Sequence, residues 1–446
     1  MVCDKTMDMK VALCVFFQKF TCRSKIPCYL ILSLSYFTAG GCQENQNRIT
    51  FSKDIAPIIR NNCTACHNPK GPGPFTLFSY EDVSKRLKMI LEVLETGYMP
   101  PWYADSSYRH FENERFLDKK QIGKIVKWVE QGKEKGSWID LDKVDNYVFE
   151  SEASQLSYTF QQTLQLKGNN EEYFVKIIVP FENEEELPIK ATDFVPGAKK
   201  YVHHSNYGIY EVDEKINFDD FDFQPLYANE YDESIDAYAP LLTKLRFYLG
   251  WIPGSGPVQF DDGYGFTLPK KGVILFTLHY APSPIDFEDQ SRLRLYVSER
   301  PLQKKLQSIS LGSGGLGRII PKLELPPESI DSFRLKERLP MDIRVHYVWP
   351  HMHLLGQAFE SFAVLPNQDT LPIIRIPQWD FDWQEGYKMI EPLLIPRNSM
   401  IHIKASYNNT STNPNNPFDP PQTVYSTGLM ETKREMMTLV MLYSRD

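Results

Sequence analysis

Beyond Cys66 the chain contains no cysteine: Cys3, Cys14, Cys22, Cys28, Cys42, Cys63 and Cys66 are the complete set of seven in 446 residues. The large C-terminal part therefore has to be held by apolar burial without disulfides. Positive charge is also scarce: 49 Lys and Arg stand against 57 Asp and Glu, a formal net charge of −8, with no basic block. That balance argues against nucleic acid or an anionic membrane surface as the main partner. The one marked apolar run, Ile26 to Phe37, is too short to span a bilayer comfortably. Histidine is sparse, nine in all, so its placement carries information.

Residues 1–41 read as an export signal. Lys19, Arg23 and Lys25 precede the apolar run, which ends in Ala39-Gly40-Gly41-Cys42. Small residues before a cysteine resemble a bacterial lipobox, which makes Cys42 the lipidated first residue of a mature chain. Ordinary signal cleavage nearby is the alternative, since Ala39 stands where leucine is usual. Residues 42–48 then form a tether. The expectation is an exported protein, a periplasmic or cell-envelope lipoprotein held to the membrane by an N-terminal lipid.

From 49 to 140 the character is helical. Asp54 to Ile59 opens a short helix leading into Cys63-Thr64-Ala65-Cys66-His67. Cys-x-x-Cys-His is the c-type haem attachment pattern: the thiols add to the vinyl groups and the histidine becomes the proximal iron ligand. A redox dithiol or half a zinc site leaves the histidine unexplained. Met99, in Gly97-Tyr98-Met99-Pro100-Pro101-Trp102, is the candidate sixth ligand; Met89 competes but lies in the helical pattern Val83, Leu87, Ile90, Val93 and reads as core. A last helix is expected from Lys119 to Gly132. The unit resembles the small cytochrome c domains fused to bacterial monooxygenase-like proteins, and the resemblance implies covalent haem c on Cys63, Cys66, His67 and Met99.

A polar linker at 139–150 precedes a strand-rich remainder. Runs such as Tyr173–Val179, Val273–Leu278, Leu293–Val297 and Thr438–Leu442 alternate with turn clusters. The fold class expected is multidomain: an all-α cytochrome c domain at 49–140, then two tandem antiparallel β-sandwich (jelly-roll) domains at 150–310 and 311–446. The acidic, aromatic stretch Asp219–Asp236 reads as a solvated surface loop.

Five histidines fall in this β region at places suited to a metal. His351 and His353 flank Met352 after the strand formers Ile343, Val345 and Tyr347, so a period of two puts both imidazoles on one face. Two exposed or hydrogen-bonded histidines would look the same. His279 ends a strand. His203 and His204 are adjacent, and a regular strand would aim them apart unless the backbone bends. Taken together, Val202-His203-His204, Leu278-His279-Tyr280, His351-Met352-His353-Leu354-Leu355-Gly356 and Glu435-Met436 resemble, in order and spacing, the four motifs of the ascorbate-dependent type II copper monooxygenases. That family includes peptidylglycine α-hydroxylating monooxygenase and dopamine β-monooxygenase. The resemblance covers about 150–446, with Pro196-Gly197 and Gly250-Trp251-Ile252-Pro253-Gly254 also matching. It implies two copper ions facing each other across a cleft: His203, His204 and His279 hold one for electron transfer, and His351, His353 and Met436 hold the oxygen-binding, catalytic one. A soft thioether favours Cu(I).

The chain also departs from that family. An arginine two residues before the His-x-His is Trp349 here, and the asparagine and tyrosine after the methionine are Thr438 and Val440. A C-terminal glycine substrate is therefore not expected. The reading is an exported copper-dependent monooxygenase that hydroxylates a C–H bond of an unspecified small molecule or peptide with O2. Electrons come through the haem from a periplasmic donor or ascorbate. The rival is a non-catalytic electron-transfer or metal-binding lipoprotein.

Overall fold

The computed structural model describes residues 48–69, 71–137, 155–227, 233–426 and 433–445. The export signal, Cys42 and the 139–150 linker lie outside this set.

One long sheet organises the molecule. Nine strands join in it, and the path runs from Gln155–Thr159 through Arg292–Val297, Leu187–Val195 and Tyr264–Leu268 to Lys304–Gly312, Thr438–Arg445, Ile343–His351 and Tyr387–Ile395. Strand 304–312 is the joint: it pairs in parallel with the 264–268 strand at Lys304 and Lys305, and antiparallel with the last strand from Leu306 to Gly312. Two five-stranded sheets pack against this plate. In the first, Val175, Ile177, Phe276 and Leu278 bury against Ile189, Leu293 and Leu295; in the second, Phe359, Ile373, Ile401 and Ile403 bury against Val345, Leu439 and Met441. Alternation along each strand sends every other residue into these cores, which replaces the missing disulfides with apolar area.

The expected architecture needs correction. Strand accounts for 41% of the chain and helix for 13%, and no all-α cytochrome c domain stands apart from the β part. The helical segment is a five-residue π turn (Phe51–Ile55) and four short helices: α1 Ala56–Asn62, α2 Tyr80–Lys85, α3 Leu87–Glu95 and α4 Lys119–Glu130. Capping boxes at Ser79/Asp82 and Asp118/Gln121 start α2 and α4. The helices share a core around Phe51, Ile55, Leu87, Ile90 and Trp128. Between α3 and α4, however, the chain leaves that core and lies along the second sandwich. Ala104 and Phe111 are buried in its apolar cluster, Phe111 bridges Met389, and Arg109 donates to Pro372 O. A stretch with aromatics at 98, 102, 103, 108, 111 and 116 but no helical period gains more by joining a sheet than by closing a helical bundle. The two β regions are likewise not separate tandem sandwiches, because the nine-stranded sheet runs through both. Met89, expected in the core, is 43% exposed.

The stretch Asp219–Asp236, expected as a solvated surface loop, differs in its described residues. Phe221, Phe223 and Tyr238 stack on one another and cover Ile178 and Val273 on the outer face of the first five-stranded sheet. Acidic residues disguise an aromatic plug.

Candidate metal centres

Two histidine clusters form at strand ends, and in both the sheet register explains how. In the first, His279 pairs with His204 but Tyr280 pairs with Val202, so His203 is an extra residue, a β-bulge. The bulge removes the opposite-face problem of adjacent residues. His203 Nδ1 lies 3.2 Å from His204 Nδ1 and 3.1 Å from His279 Nδ1. Nitrogens about 2 Å from one metal ion at ordinary bond angles stand about 3.1 Å from each other, and the ligand atoms of this trio all lie within 4.8 Å. Phe174 stacks flat on His279 at 4.3 Å. Across the cleft, Asp382 Oδ1 sits 3.2 Å from His203 Nε2. That contact makes Nε2 the protonated nitrogen and leaves Nδ1 bare for a metal. His279 Nε2 is buried without a hydrogen bond, Glu172 Oε1 standing 3.5 Å away. Burial, reinforced by the neighbouring histidines, holds His204 well below the usual imidazole range, and burial lowers His279 too. His204 and His279 are thereby held neutral, and imidazole nitrogens that converge in this way suit a copper ion.

The second cluster follows another bulge. Register shifts at His346 in both pairings of the 343–351 strand. Val345 and Val348 thus both face the core, while Trp349 and His351 turn to the cleft. His351 Nε2 and His353 Nε2 are 3.1 Å apart. His353 Nδ1 donates to Arg434 O at 2.8 Å, which again frees the other nitrogen. Burial pushes His351 down to about 4. Glu435 ties the last motif to this turn: its carboxylate accepts from His353 N (3.0 Å), Leu355 N (2.7 Å) and Met436 N (3.2 Å). Burial raises that carboxyl to about 8 despite those donors. The methionine itself is buried and lines one cavity of about 380 Å³ together with His204 and His351. Trp349, Thr438 and Val440, the three departures from the copper family, line it as well.

The clusters are close, with the rings of His204 and His351 at 6.5 Å. Phe381 stands between them, 5.6 Å from His203, 6.0 Å from His279 and 6.1 Å from His353. Sequence reasoning missed Phe381 and Asp382. Their signal was the aromatic-acidic run Trp379 to Glu385, which is too polar for a strand and too aromatic for an ordinary loop.

In the helical segment, His67 Nδ1 donates to Phe75 O at 3.0 Å and its ring stacks on Phe75. This is the tautomer that leaves Nε2 free for iron. Burial pushes the Cys63 thiol up to about 12 and raises that of Cys66, which suits a buried thioether precursor better than a redox dithiol. Cys66 packs on Gly254, where a Cβ would lie 2.3 Å from its sulfur. Met99 sits beyond α3 with its N–H on Val93 O, and no described hydrogen bond or ring contact joins it to His67. His346, His402 and His110 stay outside both clusters: His346 lies 3.1 Å from Ser444 Oγ, His402 stacks on Phe362, and His110 pairs with Glu114 on the surface.

No protein-family model matches the chain, and no curated protein does. Among solved structures, an allantoicase aligns over 64% of this chain and 81% of its own at 12% identity, with a TM-score of 0.18. The major capsid protein P2 of bacteriophage PM2 aligns over 65% and 97% at 7% identity, with a TM-score of 0.25. A PNGF-II structure aligns over 65% and 66% at 7% identity, with a TM-score of 0.26. Overlaps this poor carry no argument about fold or function.

Proposed function

We propose that this chain is an exported copper-dependent monooxygenase that hydroxylates a C–H bond with O2, with haem c on Cys63, Cys66 and His67 as the entry point for electrons. The observation that carries the reading is the convergence of the His204 and His279 Nδ1 atoms on that of His203. Beside them stand two imidazoles and a thioether, from His351, His353 and Met436, with His204, His351 and Met436 on a single cavity. Copper bound at these two ligand sets would supply one-electron redox chemistry and, at the thioether-bearing set, reduction of O2.

The chain's own residues supply the rest. Asp382 and Arg434 O hold His203 and His353 in the ligating tautomer. Glu435 keeps the His353 turn and Met436 in register. Trp349, Trp251 and Val440 give apolar wall to the cavity that His351 and Met436 also line. A route for electrons from the helical segment is short: Cys66 lies against Gly254, Arg115 bonds Glu385, and Gln384 next to it lines the cavity beside His351.

Elemental analysis of protein matured in a periplasm tests this, followed by oxygen uptake with ascorbate. Copper at both ligand sets with copper-dependent oxygen consumption is expected. Copper at both without consumption would turn the reading to a non-catalytic electron-transfer lipoprotein, and failure to take up copper after Cu(I) and Cu(II) reconstitution would end both.

A further inference from the structure

Lys176 lies on strand Tyr173–Glu182, opposite Thr277 in the register, and Thr277 in turn stands opposite Asn206. His279 and His204 form the next row on the same face, two residues along. From Lys176 to His204 is therefore two strands across and one step along, roughly 12 Å between Cα atoms. Lys176, Thr277, Asn206, His204 and His351 all line the 380 Å³ cavity.

Three facts make this row unusual. Lys176 is half-buried and has no ion pair among the described residues. No Asp or Glu is among the residues lining the cavity, so nothing there neutralises it. The side chains of Thr277 and Asn206 likewise make no hydrogen bond among the described residues, and both residues line the same space. The remaining wall is largely apolar, with Trp251, Ile252, Leu275, Trp349 and Val440, and of its polar members Ser308, Ser313, Gln384 and Thr438 spend hydrogen bonds on other parts of the protein. A cavity with one open cation and two open polar groups at one end, and histidines with a thioether at the other, fits a ligand with an anionic end and an apolar body.

We propose that Lys176, with Thr277 and Asn206, is a binding subsite for the anionic group, a carboxylate, of a small amphiphilic substrate. The apolar body of that substrate reaches the His351–Met436 end. Only the identity of the reacting end rests on the monooxygenase reading; the anion subsite stands on the cavity alone. Trp349, Thr438 and Val440 would then border the chain of the substrate rather than its charge.

The test is binding, measured by calorimetry on the full-length protein as purified, with its copper content determined in the same sample. The probes are hexanoate, hexanol and hexylamine. Wild type is expected to bind hexanoate at least about tenfold tighter than hexanol, with hexylamine weakest. Lys176→Met should lose that preference while keeping hexanol affinity, and Lys176→Arg should retain it. Equal affinity for the three probes, no hexanoate binding by wild type, or an undiminished preference in Lys176→Met would each overturn the proposal. Copper content separates this from the functional reading: hexanoate selectivity in a chain that takes up no copper even after Cu(I) and Cu(II) reconstitution sinks the monooxygenase and leaves the subsite, and copper uptake without selectivity does the opposite.

Discussion

Arg115 and Glu385 form a buried ion pair, with side-chain exposures of 15% and 10%, between the N-terminal arm and the loop that carries Phe381 and Asp382. Replacing Arg115 with Met leaves the Glu385 carboxyl buried and uncompensated. Burial already raises that group above its ordinary value of 4.5, and Arg115 is what offsets it. The cheapest response in the variant is to take up a proton. At pH 7 this costs about 2.5 pK units at 1.36 kcal/mol each, or about 3 kcal/mol, which caps the destabilisation. A group with a raised folded-state pKa contributes most below its unfolded value and loses that contribution as pH rises. The penalty of Arg115→Met should therefore shrink to below about 1 kcal/mol at pH 5. Urea denaturation of wild type and variant at both pH values reads this directly. Arg115→Met with Glu385→Leu should recover most of the loss, because the pair is replaced by apolar volume. A pH-independent penalty, or one under about 0.5 kcal/mol at pH 7, would refute the reasoning.

Other outcomes follow from single contacts. Asp382→Ala removes the partner of His203 Nε2 and should weaken Cu(I) binding at the three-histidine cluster by about 10- to 100-fold, read by competition with a chromogenic chelator. His346, buried and held near 4 against 6.5 unfolded, should withdraw as much as about 3 kcal/mol of stability as pH falls from 6.5 to 4; denaturation midpoints of His346→Gln should be flatter across that window. Gly254 has φ +87° and touches Cys66, so Gly254→Ala should cost about 1–3 kcal/mol and lower the yield of covalent haem measured by pyridine haemochrome. Met436→Leu, which keeps volume but loses the thioether, should lower Cu(I) affinity at the second cluster while leaving the first intact.

The strands were legible because β-branched and aromatic runs mark them: the run at 173–179 became Tyr173–Glu182, and that at 273–278 became Lys271–Tyr280. The grouping of the histidines was legible because histidine is rare in this chain and its motifs are short. What could not be read was register. Whether His203 and His204 converge depends on one inserted residue opposite His279 and Tyr280, which local propensity does not encode. The all-α expectation failed for a related reason. Helical periodicity identifies α3 and α4, but it is silent on where the stretch between them packs, and Phe111 finds its partner at Met389, far along the chain. Phe381 and Asp382 were invisible because a loop's aim is set by its two anchors, Tyr103 on Asp380 and Arg115 on Glu385.

The strand at 304–312 has a mechanical consequence. Because it pairs with neighbours on both sides, the sheet that carries His351 continues into the sheet on which the five-stranded sheet bearing His203, His204 and His279 packs, so the two clusters are tied through shared strands and a shared core. The short segment that carries Phe381, Asp382 and the cavity-lining Gln384 is anchored from the stretch between α3 and α4, by Tyr103 on Asp380 and Arg115 on Glu385. A ligand arriving or leaving would then feel the helical segment through that stretch. Events at the Cys63–His67 segment and at the histidines would thus be felt through one shared set of contacts.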